Sequence, residues 1–138
     1  MSTRSHIGFY DSAQQRLEYF DALLYRHCDG YPSGMLPDLL PFLKDFAKRR
    51  GWDREYVAAR CLAHLCQTNG PDDVLGYGIC SNIHTDIEYF YAVSAGFKVR
   101  VYQARWKVPP SQWKLIAEFD ATACDVASAI AACECATV

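Results

Sequence analysis

The pattern of apolar and polar positions changes period twice along the chain. Ile7 and Phe9 alternate with their neighbours, as in a short half-buried strand. A polar, turn-like stretch runs from Asp11 to Gln15. Leu17, Tyr19, Leu23 and Tyr25 then fall on one side of an extended chain, with Phe20, Ala22 and Leu24 on the other. The two runs predict an antiparallel hairpin. The second strand is apolar on both faces near its end, which predicts a place inside the sheet.

Cys28 to Gly34 is a loop rich in Asp, Gly, Pro and Ser. Beyond it the spacing becomes helical: Leu36, Leu39, Leu40, Leu43, Phe46 and Ala47 make one apolar stripe. Pro37 suits a first turn, and Pro41 predicts that the regular helix opens close to Asp38. Gly51 is a natural stop. Asp53 can cap a second helix, whose stripe is Ala58, Cys61, Leu62, Leu65 and Cys66 and whose end is Asn69-Gly70. The short connection predicts that the two helices are packed neighbours.

The period then returns to two. Leu75 to Cys80 reads as a short strand. Ile87, Tyr89, Tyr91 and Val93 alternate, Ser94-Ala95-Gly96 turns, and Phe97, Val99 and Val101 alternate with Lys98, Arg100 and Tyr102. A proline-bearing loop from Trp106 to Gln112 leads to a last strand, Trp113 to Phe119, with Leu115, Ala117 and Phe119 inward. The tail from Ala121 carries Cys124, Val126, Ala127, Ile130 and Ala131 as a partial stripe. It reads either as a terminal helix capped by Asp120 or Thr122, or as a frayed end. Strand-strand, helix-helix, then four strands predicts an α+β fold. The expected architecture is an antiparallel sheet of five to six strands, with two helices on one face and the C-terminal helix as an option. No repeat or linker divides residues 1–138, so a single domain is expected.

Composition narrows the function classes. The chain has 138 residues, 51% of them hydrophobic, enough for a core without staples. The formal net charge of −2 lacks the basic excess of a nucleic-acid binder. Lys48, Arg49 and Arg50, with Arg54 nearby, suit a helix end. No apolar run approaches the ~20 residues of a membrane span, and MSTRSHIGFYD has no apolar leader core, so the expectation is a cytoplasmic protein. The seven cysteines then read as reduced, mostly buried thiols. No metal centre or cofactor is expected. Cys61-x-x-His64-x-Cys66 and Cys133-x-Cys135 lack paired half-sites, and His84 with Asp86 is an unspecific pair. There is no Walker loop, G-x-S-x-G or H-E-x-x-H, and Gly76-x-Gly78 lacks the context of a dinucleotide fingerprint.

Three polar segments remain. Arg26 to Gly34 leaves an apolar strand and enters a helix, a junction that offers free N–H groups and a positive dipole end to an anion. Arg26 and His27 project to opposite faces if both lie on the strand. His27 can also serve as a base oriented by Asp29. The same residues equally suit a plain turn, with Asp29 folding back on the backbone and Gly30 at positive φ. Thr3 to His6 places Arg4 and Ser5 where they can meet phosphate or carboxylate, or simply form an exposed end. His84 to Tyr89 contains Glu88, a carboxylate between apolar neighbours, expected either at a sheet edge or paired with Arg4, Arg26 or Arg100.

Taken together, Thr-Arg-Ser-x-Ile (Thr3 to Ile7), Tyr-x-His-x-Asp-Gly-Tyr-Pro-x-Gly (Tyr25 to Gly34) and Asp-Ile-Glu-Tyr (Asp86 to Tyr89) resemble a family of small uncharacterised proteins of bacteriophages, prophages and bacteria. The resemblance covers most of the chain. It implies a setting, the host cytoplasm for a phage-encoded chain, and no reaction. The resulting expectation is a non-enzymatic accessory protein that binds a small polar or anionic ligand, a nucleotide among the options. Arg4, Ser5, Arg26, His27, Asp29, Gly30, Tyr31 and Glu88 would form the site. The alternatives are a hydrolase or nuclease using His27 and Asp29, and an interaction module or homodimer with an apolar patch around Trp106, Pro109, Pro110 and Trp113.

Overall fold

The computed structural model describes residues 2–70 and 72–136. The first strand, β1 (Ser5–Tyr10), is buried along its whole length because it is paired on both sides. On one side it forms the expected antiparallel hairpin with β2 (Ala22–Arg26), in the register Ile7 to Leu24. On the other side it runs parallel to β4 (Tyr89–Ser94), with Ile7 opposite Tyr91. The remaining strands are β3 (Tyr77–Ile79), β5 (Lys98–Gln103) and β6 (Lys114–Asp120). The sheet order is β3-β2-β1-β4-β5-β6. The fold is α+β, and its sheet is mixed where an antiparallel one was expected. Alternation in Ile87 to Val93 fixes which face each side chain takes, but it is identical for either strand direction. Direction is set by the long crossover between β2 and β4.

That crossover contains helices α1 (Pro32–Arg49) and α2 (Arg54–Asn69). Helix α1 opens at Pro32, earlier than the expected start near Asp38. Proline at the first position lacks only an N–H that the helix would not use. Pro37 and Pro41 sit in its interior, and the buried stripe Met35, Leu36, Leu39, Leu40 and Leu43 holds it against the sheet. Asp53 caps α2, accepting from the N–H groups of Glu55 and Tyr56 at 3.1 and 3.4 Å. The tail forms a third helix, α3 (Val126–Ala136). Its cap is Asp125, which accepts from the N–H and Oγ of Ser128 at 2.9 and 2.8 Å. Asp120, one of the expected caps, instead closes the preceding turn through Thr122.

Two local patterns differ from expectation. Leu17 to Tyr19 is a single 3-10 turn, so β2 starts only at Ala22. In β6, Val101 faces Ala117 while Tyr102 faces Leu115, so Ile116 is an extra residue. This bulge reverses the alternation before it: Leu115 is exposed and Ile116 is buried.

The sheet buries both faces differently. Ile7, Phe9, Leu24, Tyr91, Val93 and Val99 pack with the helices. Tyr10, Leu23, Phe90 and Ala92 face the other way and are covered by irregular chain carrying Leu17, Ile87, Ala104 and Trp113. The loop-covered face carries a cluster of polar side chains and a cleft of about 530 Å³. Among the described residues no helix is long and apolar enough to cross a membrane.

Candidate functional site

The starts of β1 and β4 and the end of β2 lie side by side, with Ser5 between Arg26 and Tyr89. The three polar segments therefore meet through their backbones. The Gly30 N–H donates to the Thr3 carbonyl at 2.9 Å, and the Glu88 N–H donates to the Arg4 carbonyl at 2.8 Å. The Tyr91 hydroxyl donates to the Gly30 carbonyl at 2.7 Å.

Their side chains do not converge. Arg26 turns to the helical face. It is buried there, donating from Nε to the Cys28 carbonyl at 2.8 Å and from Nη1 to Asp38 at 3.0 Å, with its guanidinium over the Tyr77 ring. Ser5 is fully buried, and its Oγ has no hydrogen-bond partner. His27 bonds the Tyr25 hydroxyl through Nδ1 at 2.9 Å. Asp29 sits at φ 57° and accepts from the Tyr31 hydroxyl at 3.1 Å. His27 and Asp29 thus have separate partners and form no acid–base pair. Glu88 is exposed and meets none of the three arginines expected for it: Arg4 pairs with Asp86 at 2.6 Å, Arg26 with Asp38, and Arg100 with the Tyr102 hydroxyl at 2.9 Å. The residue pattern leading into β4 could not reveal that another carboxylate, Asp86, pairs with Arg4.

A second group of polar side chains, on the loop-covered face, is more closely assembled. His6 is fully buried. Its Nδ1 lies 2.9 Å from the Leu24 carbonyl, which can only accept, so Nδ1 carries the proton. Its Nε2 then accepts the His84 N–H at 2.9 Å. Burial lowers the His6 pKa from 6.5 to about 4, so the ring is neutral at pH 7. The His84 ring stands edge-on to His6, 4.9 Å between centroids, and lies 4.7 Å from the Tyr25 ring. Cys80 Sγ is 3.3 Å from His84 Nε2, while His84 Nδ1 is 3.9 Å from Asp86. Burial raises the Cys80 pKa. Its resting form is therefore the thiol, a weak nucleophile.

His84 also lines a cleft of about 530 Å³. Its walls come from the loops that cover this face. Phe20 and Trp113 supply rings, Ser81 and Asn82 supply donors and acceptors, and Arg105 and Lys107 supply positive charge. The one carboxylate in the lining, Glu18, is already paired with Arg16 at 2.9 Å. A smaller cleft of about 250 Å³ adjoins it through Glu18, Pro110 and Trp113 and is lined by Arg100. The Nε and Nη2 of Arg100 are buried without a hydrogen-bond partner.

Cys80, Arg105 and Lys107 carried no functional reading in the sequence. Cys80-x-x-x-His84 was a legible spacing, but the buried His6 that completes the group comes from a strand far away in the chain. No family model, no curated protein and no solved structure matches this chain.

Proposed function

We propose that this chain is a non-enzymatic binding protein for a small anionic ligand with a planar ring, with nucleotides the best-fitting class. The observation that carries the reading is the 530 Å³ cleft, in which Arg105 and Lys107 face the same space as Phe20 and Trp113. A volume of this order suits a small ligand. Rings can stack on a base, cations attract phosphate, and Ser81 and Asn82 can fix orientation. The adjoining Arg100 extends the positive lining. The loop from Cys28 to Gly34 acts as scaffold in this reading, because the N–H and the carbonyl of Gly30 are already bonded to Thr3 and Tyr91. A role as a phage or prophage accessory protein belongs to the same proposal and rests on the motif resemblance alone.

The test is thermal unfolding with a panel of nucleoside mono- and diphosphates. A ligand at 100 times its Kd adds about 2.7 kcal/mol to stability. A member of the panel should raise Tm in the wild type and much less in the Arg105→Ala, Lys107→Ala double variant. No shift across the panel, or an equal shift in the variant, contradicts the reading.

A further inference from the structure

We propose that His6, Cys80 and His84 form a binding site for a divalent transition metal of zinc type. One donor atom from each lies within 4.8 Å of the other two. Two imidazoles and one thiolate are a donor set that zinc prefers. In a tetrahedral site with Zn–S about 2.3 Å and Zn–N about 2.0 Å, sulfur and nitrogen stand roughly 3.5 Å apart. Cys80 Sγ and His84 Nε2 are 3.3 Å apart.

The surroundings match what such ligands need. The Nδ1–H of His6 is held by the Leu24 carbonyl, which fixes the tautomer and leaves Nε2 as the lone-pair atom. Asp86, anchored by Arg4 at 2.6 Å, lies 3.9 Å from Nδ1 of His84, so a small rotation of the ring would bring that N–H to a carboxylate. The metal would replace the His84 N–H as the partner of His6 Nε2. Losing that one hydrogen bond is small beside gaining a coordinate bond. Binding is balanced by release of one proton: the Cys80 thiol gives H⁺ to the buffer as its sulfur takes the metal. The metal's charge makes that deprotonation favourable. Three protein ligands leave a fourth position for water or a donor from solution. His84 borders the 530 Å³ cleft, and Cys80 borders another of about 350 Å³. This inference does not depend on the nucleotide reading, since its test uses the metal alone.

The experiment titrates metal-free, reduced protein with Co²⁺ as a spectroscopic probe and with Zn²⁺ by calorimetry in buffers of different ionisation enthalpy. The expected result is one ion per chain, a thiolate-to-cobalt charge-transfer band, tetrahedral d–d bands, and about one proton released. Cys80→Ser should abolish the charge-transfer band, and His84→Asn should weaken binding at least about tenfold. Both side chains are at least partly exposed, so these variants keep the fold. A charge-transfer band that survives in Cys80→Ser would place the metal on other cysteines and overturn the proposal. Wild-type binding no tighter than that of the two variants would overturn it as well.

Discussion

His6 is buried with its Nδ1–H directed at the Leu24 carbonyl, 2.9 Å away on the neighbouring strand. The bond crosses the β1–β2 hairpin and holds a neutral ring under the loop that carries His84. In the unfolded chain this imidazole has its ordinary pKa of 6.5, and in the folded chain burial lowers it to about 4. The unfolded state therefore binds more protons between these values, so stability rises with pH through that window. The contribution is full above pH 6.5, falls as the pH drops, and is gone below about pH 4. The shift corresponds to about 3 kcal/mol. Urea unfolding of metal-free protein at pH 4 and pH 7.5 should show a difference of this order, and His6→Gln should flatten the part due to this residue.

Arg26 and Asp38 tie β2 to α1. The Arg26 side chain is 5% exposed and Asp38 18%, and Asn69 also donates to Asp38 at 3.1 Å. Removing only the acid leaves a buried, unpaired guanidinium. Asp38→Ala should therefore destabilise by about 3 kcal/mol. The double variant Arg26→Met, Asp38→Leu should recover most of that loss, since an apolar pair of similar volume leaves no charge stranded. Chemical denaturation of the three proteins decides it.

Gly30 is required by close approach. A Cβ there would lie 2.7 Å from Ser5 Cβ and 2.8 Å from the Thr3 carbonyl oxygen. Gly30→Ala should cost about 1–3 kcal/mol of stability. Adding Ser5→Gly should restore only part of it, because the Thr3 backbone contact remains. Full recovery in thermal unfolding would show that Ser5 alone sets the fit.

Periodicity made the elements legible, because each strand and helix buries one face or stripe. Tyr89, Tyr91 and Val93 announce β4, and Leu36, Leu39, Leu40 and Leu43 announce α1. Direction and phase were not legible. The parallel β1–β4 pairing leaves no mark on alternation, and the Ile116 bulge shifts phase within a strand that looks regular. The segments around Arg4, Gly30 and Glu88, expected to form one site, are joined by backbone bonds. Arg26 turns to Asp38 on α1 while Arg4 pairs with Asp86, so shared location did not give these two arginines a shared partner. The closer cluster joins His6 to Cys80 and His84, residues that only the folded sheet brings together. Arg105 and Lys107 lie in a loop whose pattern signals exposure and nothing more.

The most direct test of the cleft as the binding site is amide chemical-shift mapping during titration with adenosine monophosphate. The account predicts perturbations concentrated at Ser81–Thr85 and from Arg105 to Trp113, where the cleft is lined. Perturbations confined to Cys28–Gly34, or none at any concentration, would contradict it.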